Sequence, residues 1–158
     1  MKTSMSVLFF ALFLGLFFTS CKKDEKNEPS PNATSSHFFS CEVAGTEFNI
    51  NGLYAYAVNF DDTYNIYGVE EEGTSMYVAV DQTLEVGTHA FDDLSFALIT
   101  FADGRSYNTL FDGGSGEVIV EEKTATMVKG RFHFTAISYD DFSETIEVKD
   151  GRFQVEFR

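Results

Sequence analysis

Apolar and polar side chains alternate along the last third of the chain. From Val128 to Ala136, every second residue is apolar or Gly, and the residues between them are Lys129, Arg131, His133 and Thr135. A helix would instead repeat its apolar positions every three or four residues. The alternation therefore predicts a strand with one buried face and one polar face.

Two shorter alternating series flank Asp150-Gly151. Ile146 and Val148 alternate with charged residues before it, and Phe153 to Phe157 repeat the pattern after it. Gly tolerates a positive φ, which turns and bulges often require. This region is therefore predicted to form strands with a turn or a β-bulge at Asp150-Gly151.

Similar runs recur about every ten residues from His37 onward. They are rich in aromatic and β-branched residues, contain no Pro, and are separated by Gly and by pairs of Asp. This rhythm predicts an all-β fold of roughly ten strands, either an antiparallel sandwich or a small barrel. Ser95–Phe101 is apolar enough to predict a strand buried on both faces, and Thr88–Leu94 is the one candidate for a short helix.

The first twenty residues have a different character. Val7–Phe18 contains twelve residues without a polar side chain, after a positive charge at Lys2. A transmembrane helix needs roughly 20 apolar residues, so this run has the length of a secretory signal. Phe18-Thr19-Ser20-Cys21 resembles the lipobox of bacterial lipoproteins, which implies a signal peptide over 1–20 and a lipid on Cys21. An ordinary cleavable signal with an incidental Cys is the alternative.

Residues 21–36 have the composition of a linker. The segment contains both prolines of the chain and no large apolar side chain, so it cannot bury enough surface to offset its conformational entropy. Its first five residues, CKKDE, resemble the export signal of surface-exposed lipoproteins of Bacteroidota, and a plain solvated spacer is the alternative. The expected organisation is a signal peptide (1–20), a lipid-anchored tether (21–36) and one β-domain (37–158).

Four further motifs resemble those of small all-β lipoproteins of Bacteroidota that have no assigned activity. They are Gly45–Phe48, Gly87–His89, Val128–Phe134 and Val148–Phe153, and they extend over most of the chain after Phe39. Such proteins commonly end in a Gly-x-Phe-x-Phe hairpin. The resemblance implies turn glycines and core aromatics, and it brings no catalytic residue.

The charge of the chain is strongly negative and unevenly distributed. The net charge is −14 overall, and residues 37–104 contain twelve acidic side chains without one Lys or Arg. Nucleic acid is excluded as a partner, because binding phosphates needs a surplus of basic residues. The acidic half could form a calcium site or a face for a basic partner, although carboxylates that keep a sheet soluble explain it more simply.

The candidate catalytic and metal-binding residues form no recognisable constellation. His37, His89 and His133 are scattered, and Ser115 lies in Gly114-Ser115-Gly116, which lacks the spacing of a nucleophile elbow. Cys41 shares the period of Phe39 and Val43, which predicts a buried, unreactive thiol. No enzyme activity and no cofactor are therefore expected.

Five tyrosines remain as candidates for a binding surface. They could line a sugar or protein surface, but core packing is the expected role of most of them: Tyr54, Tyr56, Tyr64, Tyr67 and Tyr77.

The expected function is that of a noncatalytic, lipid-anchored binding or structural module in the bacterial cell envelope. The outer membrane is the expected location, with the domain facing the cell surface if the export signal operates. An extracellular protein, a glycan or a cation is the expected kind of partner. The alternatives are a small-ligand carrier with a barrel cavity and a glycan-directed enzyme, which would need two converging carboxyls.

Overall fold

The computed structural model describes residues 37–83 and 85–158. The predicted signal peptide, the predicted lipid site Cys21 and the predicted tether lie outside these residues. Thr34–Arg158 forms one compact unit, and all strands and core residues given below belong to it. A fragment that begins at Thr34 therefore contains everything that the sheet and its core require.

The described residues form eleven strands and one short 3₁₀ turn at Gly52–Tyr54, which confirms the predicted all-β class. The strands are β1 (Phe38–Val43), β2 (Thr46–Asn51), β3 (Ala55–Phe60), β4 (Thr63–Val69), β5 (Ser75–Asp81), β6 (Gly87–Ala90), β7 (Phe96–Thr100), β8 (Ser106–Asn108), β9 (Ser115–Lys123), β10 (Met127–Ser138) and β11 (Thr145–Glu156). Within this described part of the chain, no helix is long and apolar enough to cross a membrane.

The strands pair in two groups, which are joined at the long hairpin of β10 and β11. One group runs β2-β1-β11-β10-β9-β6, and the other runs β3-β4-β5-β7-β8, with antiparallel pairing throughout both. The end of β10 pairs with β8, and Phe157, just after β11, bridges to Ala57 in β3. These two junctions nearly close the sheet into a barrel. The architecture is therefore intermediate between the two that the sequence predicts, an antiparallel sandwich and a small barrel.

A β-bulge interrupts β11 where the sequence predicts a turn or bulge. Gly151 pairs with Phe132 and Val148 with Phe134, so one residue of β10 lies opposite two residues of β11. Asp150 has a φ of 51°, in the left-handed region that a bulge can require. The strand therefore continues through the bulge, and its buried series resumes at Gly151 on the same side of the sheet.

One apolar core lies between the two groups of strands. Its larger side chains include Phe39, Phe132, Phe134 and Phe153, all of which are at most 2% exposed. The even-numbered series from Val128 to Ala136 is buried, as the alternation predicts. The aromatic rings therefore occupy the interior of the barrel-like sheet.

Two local predictions are wrong. Thr88–Leu94 contains most of β6 and part of the loop before β7 instead of a short helix, because Gly87–Ala90 pairs with β9. Ser95–Phe101 is buried on one face only, with Ala97 and Ile99 inside and Phe96 and Leu98 partly exposed. An apolar run cannot by itself distinguish a strand covered on both faces from one whose outer face carries a local apolar cluster.

Candidate functional site: an outward-facing aromatic stripe

Three neighbouring strands place small or aliphatic side chains inside and tyrosines outside. Ala55 and Ala57 of β3 are buried, whereas Tyr56 between them is only partly buried. Tyr56 pairs with Tyr67, and Tyr67 pairs with Tyr77 on the next strand. Because directly paired residues point to the same face of a sheet, the three tyrosines form one row across the outside.

The rings of this row pack against one another. The centroids of Tyr56 and Tyr67 are 5.1 Å apart with the rings 20° from parallel, and those of Tyr67 and Tyr77 are 5.4 Å apart. Phe96 contacts Tyr77 edge-on at 5.7 Å, and the Arg158 guanidinium lies 4.1 Å from the centroid of Tyr56. The ring faces are therefore largely covered within the protein.

The covered faces change the properties of the hydroxyls. Burial, and then the neighbouring Tyr56, raise the pKa of Tyr67. Burial is also the largest cause that raises the pKa of Tyr77, followed by Tyr67 and Tyr139. These phenols stay protonated well into the alkaline range, so the row presents neutral hydrogen-bonding groups on an apolar support.

The aromatic surface continues from Tyr77 toward the end of the sheet through Tyr139. Tyr139 borders a groove of about 230 Å³ together with Leu98, and its hydroxyl accepts a hydrogen bond from Asn108 Nδ2 at 3.0 Å. Its ring lies 4.7 Å from that of Phe111, and Phe111 lies 5.1 Å from Phe142. We call this continuous surface the aromatic stripe, and its members are Tyr56, Tyr67, Tyr77, Phe96, Leu98, Tyr139, Phe111 and Phe142.

Three loops meet at the far end of the aromatic stripe. They are residues 91–95 between β6 and β7, residues 109–114 between β8 and β9, and residues 139–144 between β10 and β11. The first two loops line a groove of about 240 Å³, and the Phe111 contacts join the second loop to the third. Phe142 is 66% exposed here although its ring contacts that of Phe111. Phenylalanine side chains are usually buried, so this exposure marks a candidate interaction site.

The predicted core role of most tyrosines is wrong. Tyr54 is exposed and the other four are partly buried, whereas Tyr107, which is not one of the five, is 2% exposed and belongs to the core. Alternation shows which residues share a face, but both faces of β3, β4 and β5 carry apolar side chains. The small residues Ala55, Ala57 and Gly68 could have indicated the inner face, because they leave room for the rings of the opposite layer.

Cys41 is buried, as predicted. Its Sγ donates a hydrogen bond to Met76 Sδ at 3.8 Å, and it is 6% exposed. Burial, with a smaller contribution from Glu70, raises the pKa of the Cys41 thiol to about 12. A protonated, enclosed thiol is a poor nucleophile, so Cys41 is a core residue.

The other polar candidates do not converge. His37 Nε2 lies 3.1 Å from Glu156 Oε1, and His89 Nε2 lies 2.8 Å from the carbonyl oxygen of Glu85. His133 is exposed on the outer face of β10, and Ser115 begins β9 two strand positions away, opposite Thr135. Among residues 37–83 and 85–158, no three or more His, Cys, Asp or Glu side chains are grouped to hold a metal ion.

Three further grooves lie elsewhere on the domain. One, about 410 Å³, is bordered by Tyr54, Glu70, Glu71 and Glu72. The remaining two differ in size. The larger, about 630 Å³, covers the outer face of β9, β10 and β11, where ion pairs such as Arg131–Glu121 (2.6 Å) and Lys149–Glu147 (2.9 Å) neutralise each other. The other, about 370 Å³, lies at one end of the barrel-like sheet and combines apolar residues with Glu70 and Arg105. Neither contains the exposed aromatic side chains that distinguish the stripe.

Comparison with known proteins gives one match. No curated protein and no solved structure shows significant similarity to the chain. One family model, described as a domain of unknown function, matches residues 42–155, which include all of β2 to β10, most of β11 and the last two residues of β1. The chain therefore belongs to the DUF6252 family.

Proposed function

We propose that the protein is a noncatalytic binding module of the bacterial cell envelope, anchored through a lipid on Cys21, whose β-domain binds a protein partner through the aromatic stripe. The observation that carries the proposal is the row of outward tyrosines that continues into exposed Phe142. Tyrosine and phenylalanine are enriched at protein interfaces because they bury much area and lose little conformational entropy. A monomer that leaves such a surface uncovered is expected to use it for binding.

The ring geometry favours a protein over a glycan. A sugar stacks on the open face of an aromatic ring, but Tyr67 has Tyr56 on one side and Tyr77 on the other. Tyr56 also has Arg158 over its ring. The row therefore offers ring edges and hydroxyls, which suit the side chains and backbone groups of a polypeptide.

Site-specific photocrosslinking in the native cells tests the binding surface. A photoreactive phenylalanine analogue at Phe142 or Tyr67 should give a discrete adduct with one partner. The same analogue at Glu147, exposed on the outer face of β11, is the matched control. Equal adducts from all three positions, or none from Phe142 and Tyr67, would contradict the proposal.

The anchor has a separate test. Wild-type protein should incorporate labelled palmitate and sediment with membranes, and Cys21→Ala should lose both properties. Cys41→Ala is the control, because this second thiol is buried and should leave labelling unchanged. Membrane retention of Cys21→Ala would rule out the lipid anchor and leave the binding surface to be judged by crosslinking.

A small-ligand carrier is the second candidate, and the groove of about 370 Å³ at the barrel end is the feature that favours it. Val43, Phe48 and Ile146 provide apolar walls, and Arg105 provides a charge at the rim. Native mass spectrometry of protein purified from its own cells would detect a retained molecule as added mass. A spectrum with the mass of the polypeptide and its lipid alone would count against a carrier.

A further inference from the structure

We infer that the loop end of the aromatic stripe binds a polypeptide segment in which basic and apolar side chains alternate or cluster. We call this end the loop patch and define it by Leu94, Leu110, Tyr139, Phe142, Asp93, Asp112 and Asp140. The inference deepens the proposed function, because it assigns a chemical class to the partner of the same stripe.

Exposed apolar side chains are concentrated in the loop patch. Eight large hydrophobic side chains of the described residues are exposed, and four of them belong to it: Leu94 (49%), Leu110 (46%), Tyr139 (46%) and Phe142 (66%). Leu110 borders the groove between the first two loops, and its neighbour Phe111 packs against Tyr139 and Phe142, so these side chains lie close together, with Leu94 in the adjoining loop. Contiguous apolar area of this kind marks an interaction site.

Carboxylates surround this apolar area without a basic residue among them. The three loops contain Asp92, Asp93, Asp112, Asp140, Asp141 and Glu144, and they contain no Lys or Arg. Arg105 approaches from outside the loops and reaches Glu144 at 4.0 Å. The loop patch therefore keeps a negative charge that a cationic partner would neutralise.

Some of these carboxylates already have a structural role. Asp92 Oδ1 accepts hydrogen bonds from the backbone N–H groups of Leu94 (2.9 Å) and Ser95 (2.8 Å). Asp141 Oδ1 accepts from the backbone N–H of Ser143 at 2.9 Å and from its hydroxyl at 2.7 Å. These bonds fix the loops and leave fewer acceptor sites for a ligand.

Three other carboxylates are uncommitted. Among the residues that the structure describes, the side chains of Asp93, Asp112 and Asp140 make no hydrogen bond or ion pair, and all three residues are exposed. One comes from each loop: Asp93 and Asp112 border the groove between the first two loops, and Asp140 borders the groove beside Tyr139. Arg and Lys side chains of a partner could pair with them while its apolar side chains contact Phe142 and Leu110.

The negative charge of the domain disfavours two other partners for the loop patch, a second copy of the chain and an anionic lipid surface. Residues 37–158 carry a net charge of −15, from seven basic and 22 acidic side chains, so a second copy would bring like charge to the loop patch. Anionic lipid headgroups would be repelled for the same reason. A basic polypeptide instead gains from both the carboxylates and the aromatic rings, since a guanidinium binds well over an exposed ring.

A peptide with alternating Arg and Leu, twelve residues long and fluorescently labelled, is a direct probe. Binding to the Thr34–Arg158 fragment is measured by fluorescence anisotropy at two salt concentrations. We expect binding that weakens with salt, and that weakens about tenfold, or by about 1.4 kcal/mol, in Phe142→Ser. Peptides with Glu in place of Arg, or Ser in place of Leu, should bind much more weakly.

Matched triple variants separate the loop patch from general acidity. Asp93→Asn/Asp112→Asn/Asp140→Asn should lose about tenfold in affinity. Asp62→Asn/Glu71→Gln/Glu72→Gln removes the same charge from exposed positions in other turns and should change affinity by less than about twofold. Circular dichroism and thermal unfolding confirm that each variant is folded.

The outcomes distinguish this inference from the proposed function. Equal losses in the two triple variants, or unchanged binding in Phe142→Ser, would overturn the basic-apolar partner at the loop patch. If crosslinking from Phe142 still finds a discrete partner in cells, the proposed function stands and only the partner's chemistry is wrong. If both the peptide and the crosslink fail, the aromatic stripe is not a binding surface.

Discussion

At the residue scale, several glycines of this fold are packed directly under aromatic rings. A Cβ added to Gly68 would lie 2.6 Å from the ring of Phe39, and one added to Gly130 would lie 2.7 Å from Phe153. At Gly151, the added atom would lie 2.6 Å from the ring of Phe132. The Gly-x-Phe motifs of the last hairpin are therefore explained by packing, because each ring occupies the space that a side chain would take.

Gly68→Ala should destabilise the domain by about 1–3 kcal/mol, because the new methyl group must displace the buried ring of Phe39. Phe39→Leu should also be destabilising, but it makes room at the same place. We expect the double variant to be more stable than the sum of the two single effects predicts, as measured by urea unfolding. Strict additivity would mean that the two residues do not share this space.

Cys41 should make stability fall at alkaline pH. The pKa of its thiol is about 12 in the folded protein, and an unfolded thiol has its ordinary value near 9.0. The folded state therefore holds the proton more tightly, and this contribution is complete below about pH 9 and is lost as pH rises toward 12. The slope should approach about 1.4 kcal/mol per pH unit in that window.

Cys41→Ala provides the control for this pH dependence. Urea unfolding at pH 8 and pH 10.5 should show a smaller loss of stability in Cys41→Ala than in the parent fragment. A thiol reagent should also leave Cys41 unmodified in the folded state at pH 8. Rapid modification under native conditions, or identical pH dependence in both proteins, would contradict the buried, protonated thiol.

At the scale of elements, the bulge in β11 keeps one face of a long strand buried over its whole length. Val148 and Phe153 are both buried although they are five positions apart, an odd interval that would place them on opposite faces of a regular strand. The extra residue at Asp150 restores the alternation, so that Gly151 and Phe153 face the core again. Its φ of 51° allows the backbone to make this local change of direction.

Asp150 should therefore respond to substitution in the opposite sense to an ordinary loop residue. Asp150→Gly should be more stable than Asp150→Ala by about 1–2 kcal/mol, because Ala is disfavoured in the left-handed region. At Asp93, which does not have a positive φ, the Ala variant should be the more stable of the two. Denaturant unfolding of the four variants measures both differences, and the same order at both sites would refute the argument.

The elements that the sequence predicts well are those with one clearly polar face. The polar residues from Lys129 to Thr135 mark the outer face of β10, and Asp150-Gly151 marks the bulge. The tyrosines of β3, β4 and β5 are misassigned because both faces of these strands carry apolar side chains. The size of the side chains then determines which face can pack against the core. Ser95–Phe101 fails for the same reason, since Phe96 and Leu98 belong to the outer aromatic stripe.

At the scale of the whole molecule, the candidate site depends on contacts between distant segments. Phe111 meets Phe142 because β8 and β10 pair although they are far apart in the sequence. Side-chain types can indicate an interaction surface in general, but local patterns do not reveal which loops will be neighbours. The loop patch could therefore be recognised only once the strand order was established.

The negative charge of the domain should make its stability depend on salt. Residues 37–158 carry −15, so screening by NaCl should reduce self-repulsion and raise the Tm of the Thr34–Arg158 fragment. Asp62→Asn/Glu71→Gln/Glu72→Gln should raise Tm at low salt by about 2–4 °C, and 0.5 M NaCl should remove most of that difference. Arg152→Gln makes the domain more negative and should lower Tm at low salt. A Tm independent of salt in all three proteins would show that self-repulsion is negligible.

The position of β11 has a consequence for biosynthesis. This strand lies between β1 and β10, and the backbone N–H of Arg158, just after it, bonds to the carbonyl oxygen of Ala57 at 2.9 Å. Strand β1 thus lacks one of its two neighbours until β11, the last strand of the domain, has been synthesised. The sheet can therefore be completed only once β11 is available, which favours folding of the domain as one unit over folding strand by strand during synthesis.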